Sequence, residues 1–384
     1  MFKQQFSMKP IYLDCNATTP IETEVLHIMQ HYLQQEYGNS GSRSHLYGHT
    51  ANKAVEAARV EIATLVTCAN EEVIFTSGAT ESNNLVILGL AQYGQERQKT
   101  HIVSTKIEHK AVLEPLERLQ EKGFEITLID CDHSGRVSVD AIKSALRDDT
   151  LLVSVMQVNN ETGIIQPIKE IADLLQNHDA LFHTDAAQGF GKDIETLKHS
   201  GIDLISISGH KIFGPKGIGA LIRRRAKTTT IPIRPLMVGG GQERGLRPGT
   251  LPVHLIAGLG EAAKLASRDN VKRHQFNQRF RAELLHRLGT LELIIHGNQD
   301  HCLSNTINLS FGDLDSEAIM LGLKDIVAIS NGSACTSSTY EASHVLVAMG
   351  LSEEEAETAT RWSWCHLSKM PQWDRVVAKI KQLL

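Results

Sequence analysis

The sequence predicts an α/β protein, with one large, mainly parallel sheet of about seven strands joined to a smaller α+β unit. Two observations carry this prediction. From residue 72 to about 225, short β-branched or apolar runs alternate with stretches of helical periodicity. Strands that read as nearly continuous apolar runs are buried on both faces, and parallel order between them requires crossover helices. Beyond residue 253 the alternation gives way to a long helical stretch and then to shorter runs of mixed character.

The seven predicted strands are EVIFTS (72–77), HIVST (101–105), FEITLI (124–129), LLVSVMQV (151–158), ALFHTD (180–185), DLISIS (203–208) and GALIR (219–223). Between them, LVILGLAQY (85–93), VLEPLERLQEK (112–122) and IKEIADLLQ (168–176) repeat apolar residues at three and four, the spacing of a helix that covers a sheet. Residues 253–288 form a helical stretch without a strand, a natural connector to a second unit. There follow LELIIH (291–296), NTINLSF (305–311), a short helix over 317–324, a loop of small residues, a helix near 344–349 and the strand TRWSW (360–364). The expected division is a large domain over 18–252, and a small α+β domain made of 1–17 and 253–384 that carries a cysteine loop.

The chain has 384 residues, and at ~150 residues per domain this allows two or three domains. Apolar residues make up 41% and charged residues 22%, a globular balance far from disordered or fibrous classes. The net charge of −5 argues against a surface tuned as a whole to nucleic acid, so no direct nucleic-acid contact is expected. Six cysteines are spread over the chain without a CxxC pair, which reads as free thiols in a reducing compartment. The opening MFKQQFSMKPIYLD has no apolar stretch of ~7–15 residues, and no apolar run reaches ~18, so a cytoplasmic protein without membrane spans is expected.

Chemistry concentrates at predicted strand ends. EVIFTS runs into Gly78-Ala79-Thr80-Glu81-Ser82, where a helix starts. Free backbone N–H groups there, with a hydroxyl beside them, suit a phosphate, although a plain Ser/Thr cap would read the same way. ALFHTD ends in Asp185, followed by Ala186-Ala187-Gln188. A buried carboxylate requires a cationic partner, and a pyridinium nitrogen would serve. DLISIS leads through Gly209-His210 to Lys211, at the edge where open α/β sheets bind ligands. A lysine of lowered pKa can capture an aldehyde as a Schiff base. Phosphate cradle, acidic partner and aldehyde-capturing lysine together are what pyridoxal phosphate needs. His183 and Asp185 share a strand face, as two metal ligands would, but no third ligand is suggested nearby and no metal is expected.

His109 follows HIVST at the same edge and could stack on a ring or shuttle protons. Cys335, in Ser330-Asn331-Gly332-Ser333-Ala334-Cys335-Thr336-Ser337-Ser338, lies among small polar residues, the context of an exposed nucleophilic thiol. Arg361 opens a strand and offers a bidentate partner for a substrate carboxylate. The glycine-rich run from Gly239 to Thr250 is read as a loop whose hydroxyl and arginines could serve a phosphate on this or a neighbouring subunit.

These residues resemble the cysteine desulfurases of the NifS/IscS type, in the class V aminotransferase group. The matching stretches cover nearly the whole chain: LDCNATTP (13–20), FTSGATESNN (75–84), EHKAV (108–112), VNNETG (158–163), HTDAAQ (183–188), SGHKIFGPKGIGAL (208–221), GGGQERGLRPGTLPV (239–253) and SNGSACTSS (330–338). The resemblance implies a homodimer of the pyridoxal-phosphate-dependent transferase fold type I. Lys211 would be the aldehyde-capturing lysine, Asp185 the pyridinium partner, Gln188 the residue near the ring hydroxyl, and His109 the group over the ring. Phosphate binding would fall to Ala79, Thr80, Ser208, His210 and Thr250 of the partner subunit. Asn160 and Arg361 would hold the substrate carboxylate, and Asn160 would also border the cofactor. Cys335 would take sulfur from L-cysteine as a persulfide, release L-alanine, and pass the sulfur to an acceptor protein.

The sequence also departs from the family's housekeeping members. These read RFSLGRF after the carboxylate-binding arginine and continue into a scaffold-docking tail, whereas here Trp362-Ser363-Trp364-Cys365-His366 follows Arg361, so docking of that kind is not expected. CNATTP resembles the specialised desulfurases that feed DNA phosphorothioation, set against iron–sulfur or tRNA-thiolation supply. Two rival readings remain open. A selenocysteine lyase or another class V enzyme would share the cofactor site but need no cysteine loop, and a non-catalytic sulfur-relay protein would keep the fold without turnover.

Overall fold

The structure is a computed structural model that describes residues 9–226, 229–332 and 342–384. A short strand β1 (Ile11–Tyr12) is followed by helices α1 (Thr23–Gln34) and α2 (Leu46–Val66). The α/β run then comprises β2 (Val73–Thr76), α3 (Ala79–Gly89), α4 (Ala91–Glu96), β3 (His101–Thr105), α5 (Lys110–Gln120), β4 (Glu125–Ile129) and α6 (Val139–Ala145). It continues with β5 (Thr150–Ser154), α7 (Ile168–Leu175), β6 (Leu181–Asp185), α8 (Ile194–Leu197), β7 (Leu204–Ser208) and β8 (Gly219–Arg223). These seven strands form the single sheet that the sequence predicts, and their order in it is β2-β8-β7-β6-β5-β3-β4.

The pairs β3–β4, β3–β5, β5–β6 and β6–β7 are parallel, while β8 runs antiparallel to both β7 and β2. It follows that β2 points the same way as β7, and that six strands (β2, β3, β4, β5, β6 and β7) present their carboxyl ends at one edge. Period-two alternation sends successive residues to opposite faces. Val73, Phe75, Val103, Val153 and Ile205 enter one core, and Ile74, Ile102, Leu152 and Leu204 enter the other. Each fully buried aliphatic or aromatic side chain contributes roughly 1.5–3 kcal/mol, so continuous apolar runs are tolerated only where both faces are covered.

A two-strand hairpin, β9 (Arg225–Ala226) and β10 (Thr229–Thr230), precedes α9 (Val253–Leu288). The 36 residues of α9 span about 54 Å. Its first half packs in the large core through Ile256, Leu259, Ala262 and Ala263, and its second half places Phe280, Leu284 and Leu288 in a separate core with Trp362 and Trp364. Gly260 allows α2 to approach closely, since a Cβ there would lie 2.6 Å from Ala58.

The second core is built on an antiparallel sheet of β11 (Leu293–Ile295), β12 (Thr306–Phe311) and, after α10 (Ser316–Leu323), β13 (Val327–Ala328), α11 (His344–Ala348) and α12 (Glu353–Glu357), the strand β14 (Thr360–Ser363). Helix α13 (Trp373–Leu383) covers it with Val376 and Ile380. The N-terminal segment joins this unit, because β1 pairs parallel with β13 and Asp14 bridges Ser363. Among the described residues, no helix is long and apolar enough to cross a membrane.

Candidate active site

The carboxyl edge of the large sheet collects the polar side chains that the strand ends deliver. Strand β7 stops at Ser208, and a 3₁₀ turn over Gly209–Lys211 carries the lysine across the edge. There the Lys211 amine donates to the backbone carbonyls of Asn16 at 2.5 Å and Ala17 at 2.9 Å. Its pKa is pulled down to about 7, first by burial and then by the positive charges of Arg361 and Lys192, against the opposing pull of Asp14 and Asp185. Two of its N–H bonds point at carbonyls, so in the neutral amine the lone pair is left for an electrophile.

Asp185 ends β6 and is buried. Its carboxylate accepts from Asn83 Nδ2 at 2.7 Å and from the Ala187 backbone N–H at 2.9 Å. Both donors are neutral amides, so these bonds hold the group in place without cancelling its charge. His183, two residues earlier on β6, spends both ring nitrogens in the core, on the hydroxyls of Ser154 at 2.8 Å and Ser206 at 3.0 Å. It therefore does not act with Asp185 as a ligand pair, and among the described residues no group of three or more acidic, histidine or cysteine side chains could hold a metal ion.

Helix α3 opens at Ala79 directly after β2, and its first backbone N–H groups have no intrahelical acceptor. Ala79 is half-buried and Thr80 exposed, so this turn faces open space. Glu81 accepts from the Ser77 N–H at 2.7 Å and pairs with Arg247 at 3.1 Å, which ties the glycine-rich segment to the turn. Gly219, the first residue of β8, pairs with Thr76 on one side and Ser208 on the other. A Cβ there would lie 2.3 Å from the Ile207 carbonyl oxygen and 2.6 Å from Gly78 Cα, so only glycine lets the α3 turn and the end of β7 come together. Burial, helped by Lys211, lowers the His210 ring to about 4, and it meets Thr18 Oγ1 through Nδ1 at 3.1 Å. Thr250 is exposed.

His109 caps α5, with Nδ1 accepting from the Ala111 N–H at 3.0 Å. That bond leaves the ring proton on Nε2 in the neutral form. The ring is open to the cleft, yet the surrounding protein dehydrates it and lowers its pKa, Asp185 opposing and Lys211 reinforcing the shift. Gln188 donates from Nε2 to the Asn16 carbonyl at 2.9 Å and accepts from Lys192 at 3.2 Å.

Arg361 reaches the same cleft from β14 and is buried. It donates to the Asn160 carbonyl at 3.1 Å and to Asp14 at 2.6 Å, and its Nε–H, also buried, has no partner among the described residues. An unused donor on a buried guanidinium is a ready position for a carboxylate oxygen. Cys335 lies outside the described residues, whose flanking stretches end at Gly332 and resume at Ala342.

The structure thus brings Lys211, Asp185, Gln188, His109, Ser208, His210, Asn160 and Arg361 to one edge. Three residues that the sequence reading left without a role complete it. Asn16 accepts at its carbonyl from both Lys211 and Gln188, and donates from its side chain to the Asn160 carbonyl at 3.1 Å. Asn83 orients Asp185, and Asp14 holds Arg361. All three stand inside the motifs LDCNATTP and FTSGATESNN, which is the only signal that could have marked them.

Residues 11–373 match the family described as Aminotransferase class-V. The chain belongs to this family. This class-V aminotransferase family member is 43% identical over 378 residues to the cysteine desulfurase IscS of Vibrio vulnificus, covering 97% of this chain and 92% of that protein. Its fold is similar to the crystal structure of DndA from Streptomyces lividans, with a TM-score of 0.81 and 48% identity over 91% of this chain and 98% of the other. It is also similar to the structure titled SspA in complex with cysteine, with a TM-score of 0.80 and 37% identity over 92% of this chain and 98% of that one.

Proposed function

We infer that this chain is a cysteine desulfurase that works with pyridoxal 5′-phosphate, taking sulfur from L-cysteine and releasing L-alanine. One observation carries the reading. A dehydrated amine at Lys211, a buried carboxylate at Asp185 held by two neutral amides, and the open amides of α3 share one sheet edge. These are the three groups that a phosphorylated pyridine aldehyde requires, and the relatives named cysteine desulfurase support the substrate. Bound pyridoxal phosphate supplies an electron sink that weakens the bonds at an amino acid's Cα.

The chain's own residues divide the remaining work. The α3 amides with Ala79, Thr80, Ser208 and His210 receive the phosphate, and Asp185 sets its charge opposite the ring nitrogen. The Lys211 amine is free to take and return protons at Nζ near neutral pH. Arg361 and Asn160 orient the substrate carboxylate, and His109 offers its Nε2 proton beside the ring. Cys335 attacks the sulfur of cysteine. An S–S bond forms, the Cβ–S bond breaks with its electron pair left on Cβ, and Cβ takes a proton, so that alanine and an enzyme persulfide balance the reaction.

The exposed Thr250 suits a homodimer in which it serves the neighbouring subunit's phosphate. The 48% identity to DndA favours the DNA-phosphorothioation branch over iron–sulfur or tRNA supply. Replacing Cys335 by Ala is expected to keep the yellow cofactor and lose persulfide formation from labelled L-cysteine. Undiminished alanine release by that variant, or amino transfer to a keto acid in place of sulfur release by the parent protein, would refute the assignment.

A further inference from the structure

Two cysteines take no part in the chemistry described above, yet they lie directly behind it. Cys15 precedes Asn16, whose carbonyl holds Lys211 and Gln188, and Cys365 lies two residues beyond Ser363, the last residue of β14. The two backbones run side by side here: the Ser363 N–H donates to the Leu13 carbonyl at 2.8 Å and the Cys15 N–H to the Ser363 carbonyl at 3.0 Å. Both thiols are free, 2% and 3% exposed, and pack in one cluster with Phe213. Each thiol lies within electrostatic reach of the other.

The surroundings favour negative charge on sulfur. Lys192 acts electrostatically on both thiols and Arg273 on Cys365, and the Ser368 hydroxyl donates to Cys365 Sγ at 3.7 Å. Within the pair, Cys365 is the thiol drawn down, chiefly by the hydrogen bond with Cys15, whose own pKa rises. A small reagent can also reach them, because both cysteines line an open cavity of about 960 Å³ with Tyr12, Pro20 and Leu367. A purely structural pair of buried cysteines would need neither the lysine nor the opening.

We propose that Cys15 and Cys365 form a redox-active dithiol, a modification site that a small hydroperoxide closes to a disulfide. Cys365 attacks the peroxide, its sulfur takes one oxygen and becomes a sulfenic acid, and the other oxygen leaves as water. Cys15 then attacks that sulfur, forming the S–S bond and expelling the hydroxyl as a second water. Two thiols are oxidised by two electrons in all, and one hydrogen peroxide is reduced to two waters. The new bond staples the segment that carries Asn16 to the segment that follows the Arg361 strand.

The first test keeps both thiols in place. In the cofactor-loaded full chain carrying Cys335→Ala, hydrogen peroxide treatment followed by alkylation, unreduced digestion and mass spectrometry is expected to yield a linked peptide pair containing residues 15 and 365. Two fewer thiols should alkylate after denaturation, and dithiothreitol should restore both. Cys15→Ser should leave Cys365 as a sulfenic acid that dimedone labels. Retention of both thiols in alkylatable form after peroxide, or separate over-oxidation of each without a linked peptide, would overturn the proposal. The result does not depend on the desulfurase reading, since it concerns only these two sulfurs.

Discussion

Replacing Lys211 by Met in the cofactor-stripped protein is expected to stabilise it, and the gain should depend on pH in a way that only a dehydrated amine produces. In the unfolded chain the amine titrates at its ordinary 10.5, and in the fold at about 7. The folded state therefore binds fewer protons than the unfolded one between those values, so stability rises with pH across this window. Below pH 7 both states carry the charge, and the full penalty of holding it in the fold applies. One pKa unit corresponds to about 1.4 kcal/mol, which makes the penalty about 5 kcal/mol at pH 6 and almost nothing above 10.5. The methionine also forfeits the two amine hydrogen bonds to Asn16 and Ala17, worth about 1 kcal/mol each. A net gain of about 3 kcal/mol at pH 6 is expected, falling through zero to a small loss near pH 10. Urea unfolding of the parent and the variant at matched pH values, compared as differences, isolates the one group. A difference that is flat with pH, or one that grows as pH rises, would show that the amine is not dehydrated, and the argument for its neutrality near pH 7 would go with it.

Other sites give sharper structural tests. Glu243, buried in the glycine-rich segment, pairs with Arg59 at 2.5 Å and accepts the Phe75 N–H at 2.6 Å. Glu243→Gln leaves the buried guanidinium with the half-exposed Glu56 at 3.1 Å in place of its buried partner, and should cost roughly 3 kcal/mol by chemical denaturation. A loss below about 1 kcal/mol would mean that Arg59 finds another partner. Gly219→Ala places a Cβ 2.3 Å from the Ile207 carbonyl oxygen. The strand must shift, at roughly 1–3 kcal/mol, and retention of the phosphate-bearing cofactor on dialysis should fall, whereas unchanged retention would separate β8 from the α3 turn.

The fold was legible where the hydrophobic pattern is strong. All seven sheet strands fall within about a residue of their predicted starts, because six of them are buried along nearly their whole length and the edge strand β4, although half-exposed, keeps a β-branched and apolar run. The long helix from Val253 to Leu288 was read at its full length because nothing in it breaks helical periodicity. Helices α1, α2 and α13 were not marked. In α2 the buried stripe mixes Ala51, Ala54, Ala58 and Ala63 with Val55, Ile62 and Leu65, and the alanines weaken its contrast with the polar face, while the small size of Ala58 is what lets Gly260 of α9 approach. In α13, Trp373, Val376 and Ile380 are buried at spacings of three and four, a helical pattern that the sequence does carry.

At the site, legibility follows charge. Lys211, Asp185 and Arg361 stood out in the sequence because a charged residue at the end of an apolar strand needs a reason to be there. Asn16 did not, since a neutral amide in a loop needs none, and the work it does is done largely by a backbone carbonyl. Yet that carbonyl is the point at which the two cores meet the candidate chemistry. Its segment is hydrogen-bonded to β14 through Ser363, its side chain donates to the Asn160 carbonyl, which Arg361 also uses, and its oxygen receives both Lys211 and Gln188. Any displacement of the small unit relative to the large sheet must therefore move the acceptor of the Lys211 amine. Because the amine's low pKa rests on burial first and on Arg361 next, a shift that loosened this contact would both hydrate the lysine and carry Arg361 away from it. The two effects act in the same direction, raising the pKa, so an amine ready to react near neutral pH is available only while the two units are docked.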